Sequence, residues 1–475
     1  MPIAFLHRLL LVTLAVLLPW AAAAQQGLPP EVLIALRRAE VPPEAMAVVV
    51  EEAGTARVRL QERAQRPLNP ASLFKLVTTS AGLELLGPAY TWQTPVWLQG
   101  ELRDGVLDGT VIIKGTGDPK LVLERAWLLL RRVRDLGVQE IRGDIVLDHS
   151  TFAAAEGHAG DFDGDALRPY NVLPDALLLN YKSVIYTFTP DPGRGIATLS
   201  AEPPLAGMMI DRSVPLASTA CDDWRSQLKA SLTDPAQVRF AGRYPASCGE
   251  RSWPVAYADS TSYDRRMLAA LWHELGGRLG GTVRDGVAPS GVAPNFTITS
   301  PPLAEVVRDI NKFSNNVMAQ QLFLTLAAER RGTGTPEAGR EVLRGWLVDR
   351  LGESALAGIV IDNGSGLSRV QRVSAQLLAR LLQAIYASPV MPELMSSLPL
   401  SGQDGTLLRM QVTQGRAHLK TGSLRDVAGV AGYVLADSGR RYVVVALINH
   451  PNANAARPAI DALVQWAITD RPAVQ

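Results

Sequence analysis

Cysteine and histidine are scarce in this chain of 475 residues, at two and six. The histidines are scattered, and neither an HExxH nor a CxxC pair occurs, so the usual donor sets of zinc hydrolases and zinc fingers are missing. An excess of either charge is missing too. Lys and Arg number 47 against 46 Asp and Glu, for a formal net charge of +1. That leaves no basic excess for a nucleic acid. Beyond the first two dozen residues no apolar run approaches the roughly 20 residues that a membrane-spanning helix needs. Heptad runs, low-complexity tracts and short-period repeats are also absent. What remains is the composition of a soluble globular protein, 47% hydrophobic and 20% charged. The chain is too long for one ordinary core, so two or three domains are expected.

At the N-terminus, His7 and Arg8 precede an apolar run from Leu9 to Trp20, followed by Ala22, Ala23 and Ala24. A basic start, a short apolar stretch and small residues read as a signal peptide (1–24) cleaved after Ala24, so export to the periplasm is expected. No Cys stands at the cleavage point for a lipoprotein anchor. The tail 468–475 offers no basic amphipathic helix, so membrane association would be loose at most. In an exported protein the even pair Cys221 and Cys248 reads as a disulfide, worth roughly 3–4 kcal/mol by chain entropy. Two separate buried thiols is the alternative.

Along the chain, 46–50 and 56–60 read as a hairpin around Gly54, and the pattern turns helical after Pro70 until Gly87-Pro88. Strands at 109–114 and 141–148 flank an amphipathic helix at 121–136. From 184 to 257 short alternating runs rich in Pro, Ser, Thr and Gly suggest a small β-rich insert. Helices are expected at 263–275, on both sides of 311–316, and at 336–351 and 374–387. Three strands, 417–423, 427–436 and 441–449, and a helix at 455–468 follow. The expected fold class is α+β, an antiparallel sheet flanked by helices, with its first part separated from its second by a long insertion.

Three short elements carry chemistry. Ser72-Leu73-Phe74-Lys75 opens the predicted buried helix, and i,i+3 spacing puts the lysine amine beside the serine hydroxyl. A serine needs a base to become a nucleophile, and a lysine can be that base if burial lowers its pKa. Ser314-Asn315-Asn316 sits in a polar turn between helices, where a hydroxyl can relay a proton and an amide can hold a peptide carbonyl. Lys420-Thr421-Gly422, followed by Ser423, lies on the first strand of the last sheet. There Lys420 and Thr421 can bind a substrate carboxylate, Gly422 can let the substrate backbone approach closely, and the amides of Ser423 and Ser72 can form an oxyanion hole. Each motif alone is weak: a capped helix, a loop and an edge strand would produce them. In the order S-x-x-K, S-x-N, K-T-G, each on the required element, they form the set used by penicillin-binding proteins and β-lactamases.

The sequence resembles the class C low-molecular-mass penicillin-binding proteins, D-alanyl-D-alanine carboxypeptidases/endopeptidases of the DacB type. The likeness runs through 69–78, Leu86-Gly87-Pro88, 114–119, 143–152, Asp362-Asn363-Gly364-Ser365-Gly366-Leu367-Ser368-Arg369, 398–407 and 420–433. It implies a serine β-lactamase/transpeptidase-like core (25–97 and 299–475) with two nested inserted domains, at 98–183 with 256–298 and at 184–255. It also implies roles. Ser72 would attack the carbonyl between two D-alanines and Lys75 would take its proton. Ser314 would pass a proton to the leaving group, Asn316 would orient the substrate, and Lys420 with Thr421 would hold the terminal carboxylate and help position Ser314. Asp165, in the acidic loop Asp161 to Asp165, falls near where the family meets the charged end of the stem peptide, with a solvated loop as the default reading. Peptidoglycan stem peptides and β-lactams are the implied partners. No metal or organic cofactor is implied, and a homodimer is left open. Two rivals stand beside this reading: a β-lactamase, which the long gap between Lys75 and Ser314 disfavours, and a non-catalytic peptidoglycan-binding protein, which the intact motifs disfavour.

Overall fold

The computed structural model describes residues 27–470; the expected signal peptide lies outside the described residues. Strands Val58–Glu62, Met46–Glu52, Arg441–Asn449, Val427–Leu435 and Ala417–Leu424 lie side by side in that order, all antiparallel. The apolar run from Met46 to Val50 is continuous rather than alternating because both faces are covered. Ala47 and Val49 face one core, and Met46, Val48 and Val50 face the other. Helices Pro30–Arg38 and Arg457–Ile468 pack on the second face. The first receives Lys75–Leu85, Leu303–Phe313, Asn316–Arg331 and Ala375–Tyr386. The α+β class expected from the sequence is the one observed.

Between the helices Lys75–Leu85 and Leu303–Phe313 the chain builds a seven-stranded mixed sheet. Helix Leu123–Asp135 connects Val106–Lys114 to the parallel strand Ile145–Asp148, the expected βαβ pattern. Strand Gln93–Arg103 was not expected. Its second half is exposed and polar, so it carries little of the alternation that marks a half-buried strand. It runs unbroken through the 97/98 division drawn from the sequence, and the break between sheets therefore lies before Gln93. The chain returns beside it as Phe296–Thr299.

A second excursion forms a five-stranded sheet from Ser183–Asp191, Ile196–Glu202, Ser213–Ala217, Tyr244–Pro245 and Arg251–Ala256. Cys221 and Cys248 are joined in a disulfide here. One hydrophobic cluster takes in Val111, Leu130 and Ile145 from the first excursion and Phe188, Val214 and Tyr244 from the second. The two excursions thus share a core, a consequence of each sheet having one apolar face to cover.

Candidate active site

Asn69 prepares the turn that carries Ser72. Its side-chain oxygen accepts from the Ala71 amide (2.9 Å) and its amide group donates to Ser368 O (2.8 Å). Asn449, at the end of a central strand, bonds both backbone groups of Asn69. Held so, Ala71 adopts a φ of 46°, an unfavourable region for a non-glycine residue that persists only when its surroundings fix it. Residues Ala71–Phe74 then form a 3-10 turn that runs into the helix beginning at Lys75. Gly366, with a φ of 78°, lies against this turn; a Cβ there would meet Ala71 O at 1.9 Å.

Lys75 is fully buried. Its Nζ lies 2.9 Å from Ser72 Oγ, 2.6 Å from Asn316 Oδ1 and 2.7 Å from Ser365 O. No carboxylate of the described residues pairs with it. Burial, helped by the charge of Lys420, pushes its pKa well below the ordinary lysine value. A neutral amine has two N–H donors and one lone pair. The carbonyl of Ser365 and the oxygen of Asn316 can only accept, so they take the two N–H groups. The Asn316 orientation is supported from its other end, where Nδ2 faces Tyr170 O at 3.4 Å. In the neutral form the lone pair is left for the Ser72 hydroxyl to donate to, whereas the ammonium form donates to Ser72 Oγ instead. A serine and a lysine so arranged can act as nucleophile and base.

Ser314 ends the Leu303–Phe313 helix in a left-handed conformation, φ 56° and ψ 38°. Asn315 caps the next helix by accepting from the Met318 amide (3.0 Å), which places Asn316 in its first turn, facing Lys75. Lys420 is also fully buried. It donates to Ser314 Oγ (2.8 Å) and Thr421 O (2.9 Å), and burial brings its pKa down to about 7. The lysine expected to help position Ser314 thus bonds its hydroxyl. Ser72, Lys75 and Asn316 form one hydrogen-bonded group and Ser314 with Lys420 a second, close enough for the charge of Lys420 to act on Lys75.

Strand Ala417–Leu424 is the edge of its sheet. The Leu419 amide donates outward to Pro399 O (3.0 Å), so by the two-residue period the amides of Thr421 and Ser423 point to the same open edge. Gly422 has a role besides the one expected. A Cβ there would meet Pro70 O at 2.6 Å and Leu73 Cγ at 2.9 Å; the glycine clears the protein's own Ser72 turn. Thr421 Oγ1 is bonded to Thr406 Oγ1 (2.8 Å), and Ser423 Oγ accepts from Arg457 (2.8 Å).

Asp165 stands apart from this cluster. It is half-exposed and pairs with Arg168 at 2.7 Å. Its loop reaches the site through the Tyr170 carbonyl beside Asn316, while Asp163 accepts from Tyr170 Oη and Asn171 Nδ2 (both 2.7 Å). The Ser365 carbonyl, Tyr170 carbonyl, Thr406 and Arg457 received no role from the sequence; Ser365 and Thr406 lay in segments singled out for other reasons. Among the described residues one group could offer metal donors, His149, Asp175 and Asp264. The Lys182 ammonium already lies 2.6 Å from Asp175 and 3.3 Å from Asp264. Gln321 bonds the backbone of Asp175, so this ion-pair cluster fastens the insertion to the helix that carries Asn316.

The D-Ala-D-Ala carboxypeptidase 3 (S13) family matches residues 33–469. The chain belongs to this family. It is therefore a peptidase of the D-Ala-D-Ala carboxypeptidase class. A D-alanyl-D-alanine carboxypeptidase of Actinomadura sp. (strain R39) is 26% identical over 449 residues, 87% of this chain and 79% of that protein. Penicillin binding protein 4 (dacB) from Haemophilus influenzae superposes with a TM-score of 0.73 at 22% identity, covering 91% of this chain and 99% of that one. A predatory endopeptidase from Bdellovibrio bacteriovorus, in complex with an immunity protein, gives a TM-score of 0.54 at 16% identity over 90% of this chain and 95% of that one. At these identities the two structures establish a shared fold for the S13 chain.

Proposed function

We propose that this S13 peptidase cleaves the D-Ala-D-Ala bond of peptidoglycan stem peptides, and the corresponding bond of cross-links, through an acyl-enzyme on Ser72. The observation that carries the reading is the environment of Lys75: two obligate acceptors, one hydroxyl and no carboxylate. Neutral Lys75 takes the Ser72 proton as Oγ attacks the carbonyl. The amides of Ser72 and Ser423 stabilise the oxyanion. The Ser314 hydroxyl, held by Lys420, delivers a proton to the leaving amine and regains one from protonated Lys75, which is thereby neutral again. Lys420 and Thr421 hold the carboxylate next to the scissile bond, Asn316 orients the peptide, and water then hydrolyses the ester with Lys75 again as base. The chemistry calls for no metal or organic cofactor.

β-Lactams acylate the same serine in this reading, the residues 1–24 direct export to the periplasm, and the two excursions act as nested domains of a transpeptidase-like core. Asp165 meets the ammonium end of the stem-peptide side chain, exchanging Arg168 for it. Labelled penicillin should modify the tryptic peptide containing Ser72 and leave Ser72→Ala unlabelled. An adduct on another residue, or full labelling of Ser72→Ala, sinks the mechanism. Purified muropeptides with and without cross-links then separate the carboxypeptidase and endopeptidase activities, and the intact mass of exported protein tests cleavage after Ala24.

A further inference from the structure

Strand Ala417–Leu424 has two faces. Lys420 and Gly422 look toward the Ser72 turn, whereas Leu419 packs with the C-terminal helix on the other side. The two-residue period puts Thr421 and Ser423 on that other side as well. There the strand, the Gly405–Leu407 turn and the start of the Arg457–Ile468 helix line a cavity of about 290 Å³ that reaches Thr421 and Gly422. Leu407, Met410 and Ile460 give it an aliphatic lining, and Arg409 and Arg457 add two guanidinium groups. Arg457 Nη2 donates to Ser423 Oγ (2.8 Å) and Asn454 Oδ1 (3.1 Å). Among the described residues no carboxylate lies within 4.0 Å of either guanidinium. Asp461, one turn farther along the same helix, also lines the cavity.

A leaving D-alanine has only a methyl side chain and makes no use of such a space. The leaving residue of a cross-link differs in two ways. Its side chain is an unbranched run of methylenes, and it continues into a second peptide that ends in a carboxylate. The aliphatic lining suits the first and the guanidinium groups suit the second. We propose that this cavity is the leaving-side subsite for the acceptor peptide of a cross-link, with Arg457 as the residue that recognises its carboxylate. The proposal rests on the reading of Lys420 and Thr421 as the anchor beside the scissile bond.

The test uses the full mature enzyme and three substrates: an uncross-linked pentapeptide, a cross-linked dimer whose acceptor ends in a free carboxylate, and the same dimer with that end amidated. Arg457 is exposed, so Arg457→Gln is expected to fold. Its kcat/KM on the free-carboxylate dimer should fall about tenfold, mainly through KM, relative to D-Ala release from the pentapeptide. The amidated dimer should be slow already in the wild type and insensitive to the substitution. Arg457→Lys should recover part of the loss. An equal fall on all three substrates means that Arg457 only props Ser423, and an equal fall on the two dimers means that charge is not what it reads; either result overturns the proposal, as does no fall. If the wild type acylates with penicillin on Ser72 but cuts neither dimer, the subsite fails while the Ser72 mechanism stands. If Ser72 is not acylated, the parent reading fails first.

Discussion

Lys75→Arg is the sharpest perturbation of the proposed mechanism. Arginine keeps the ability to donate to Asn316 Oδ1 and Ser365 O, now 2.6 and 2.7 Å from Nζ, but its charge is permanent. It has no lone pair for Ser72 Oγ, and with a pKa above about 12 its deprotonated fraction at pH 7.5 is below roughly 10⁻⁴. Lysine at this position is different because burial and Lys420 both disfavour its ammonium form. Loss of a general base is worth about 10²–10⁴ in rate, or about 2.7–5.5 kcal/mol of barrier. The second-order rate of acylation by a labelled penicillin should fall by that factor. The wild-type rate should rise with pH along an acid limb centred well below pH 10.5. A thermal melt and binding of a product-like peptide check that the larger guanidinium has not disrupted the fold. Acylation within about threefold of wild type, in a variant that melts normally, would refute the assignment of Lys75 as base and move that role toward Ser314.

Lys420→Met removes the charge that depresses Lys75, so the acid limb of acylation should move to higher pH, seen in the same stopped-flow profile; an unmoved or lowered limb contradicts the coupling. The folded pKa of Lys420 is about 7 against roughly 10.4 in an unfolded chain. Between about pH 7 and 10 the unfolded state therefore binds more protons, and this group makes stability rise with pH by up to about 1.4 kcal/mol per unit; urea unfolding across that window should show a smaller rise in Lys420→Met. Replacing Cys221 and Cys248 by Ser should cost about 3–4 kcal/mol in unfolding of the insertion, from a separation of 27 residues, while penicillin acylation persists; a loss of acylation in step with stability would tie the insertion to the site. Asp165→Asn should slow hydrolysis of stem peptides with a free ammonium end about 3- to 10-fold, the low range expected of a half-exposed carboxylate that must first release Arg168. Simple penicillins should acylate it normally, and an equal effect on both would mark damage to the loop.

What the sequence determined by itself is local. The i,i+3 spacing of Ser72 and Lys75 depends only on the helix that starts there. The turn between two helices around Ser314 follows from their periodic patterns, and the last three strands and the helix after them were readable for the same reason. Tertiary structure decided what those residues can do. Lys75 is buried against groups 241 and 290 positions away in the chain, where burial and the charge of Lys420 lower its pKa, and Lys420 meets Ser314 across 106 positions. Gly422 carries no signal of the turn it must clear, because Pro70 and Leu73 approach it only after the sheet has closed on the helix that follows Ser72. Strand Gln93–Arg103 was hidden because its outer half is solvent-facing and takes its order from backbone pairing with Val106–Lys114, which leaves no hydrophobic period to read. Arg457 belongs with these. A lone arginine at the start of a helix says nothing until the fold sets it against Ser423, 34 positions away. Protonation state, close approach and cavity shape are properties of atoms brought together from distant parts of the chain, so a spacing rule, which sees only neighbours, cannot contain them.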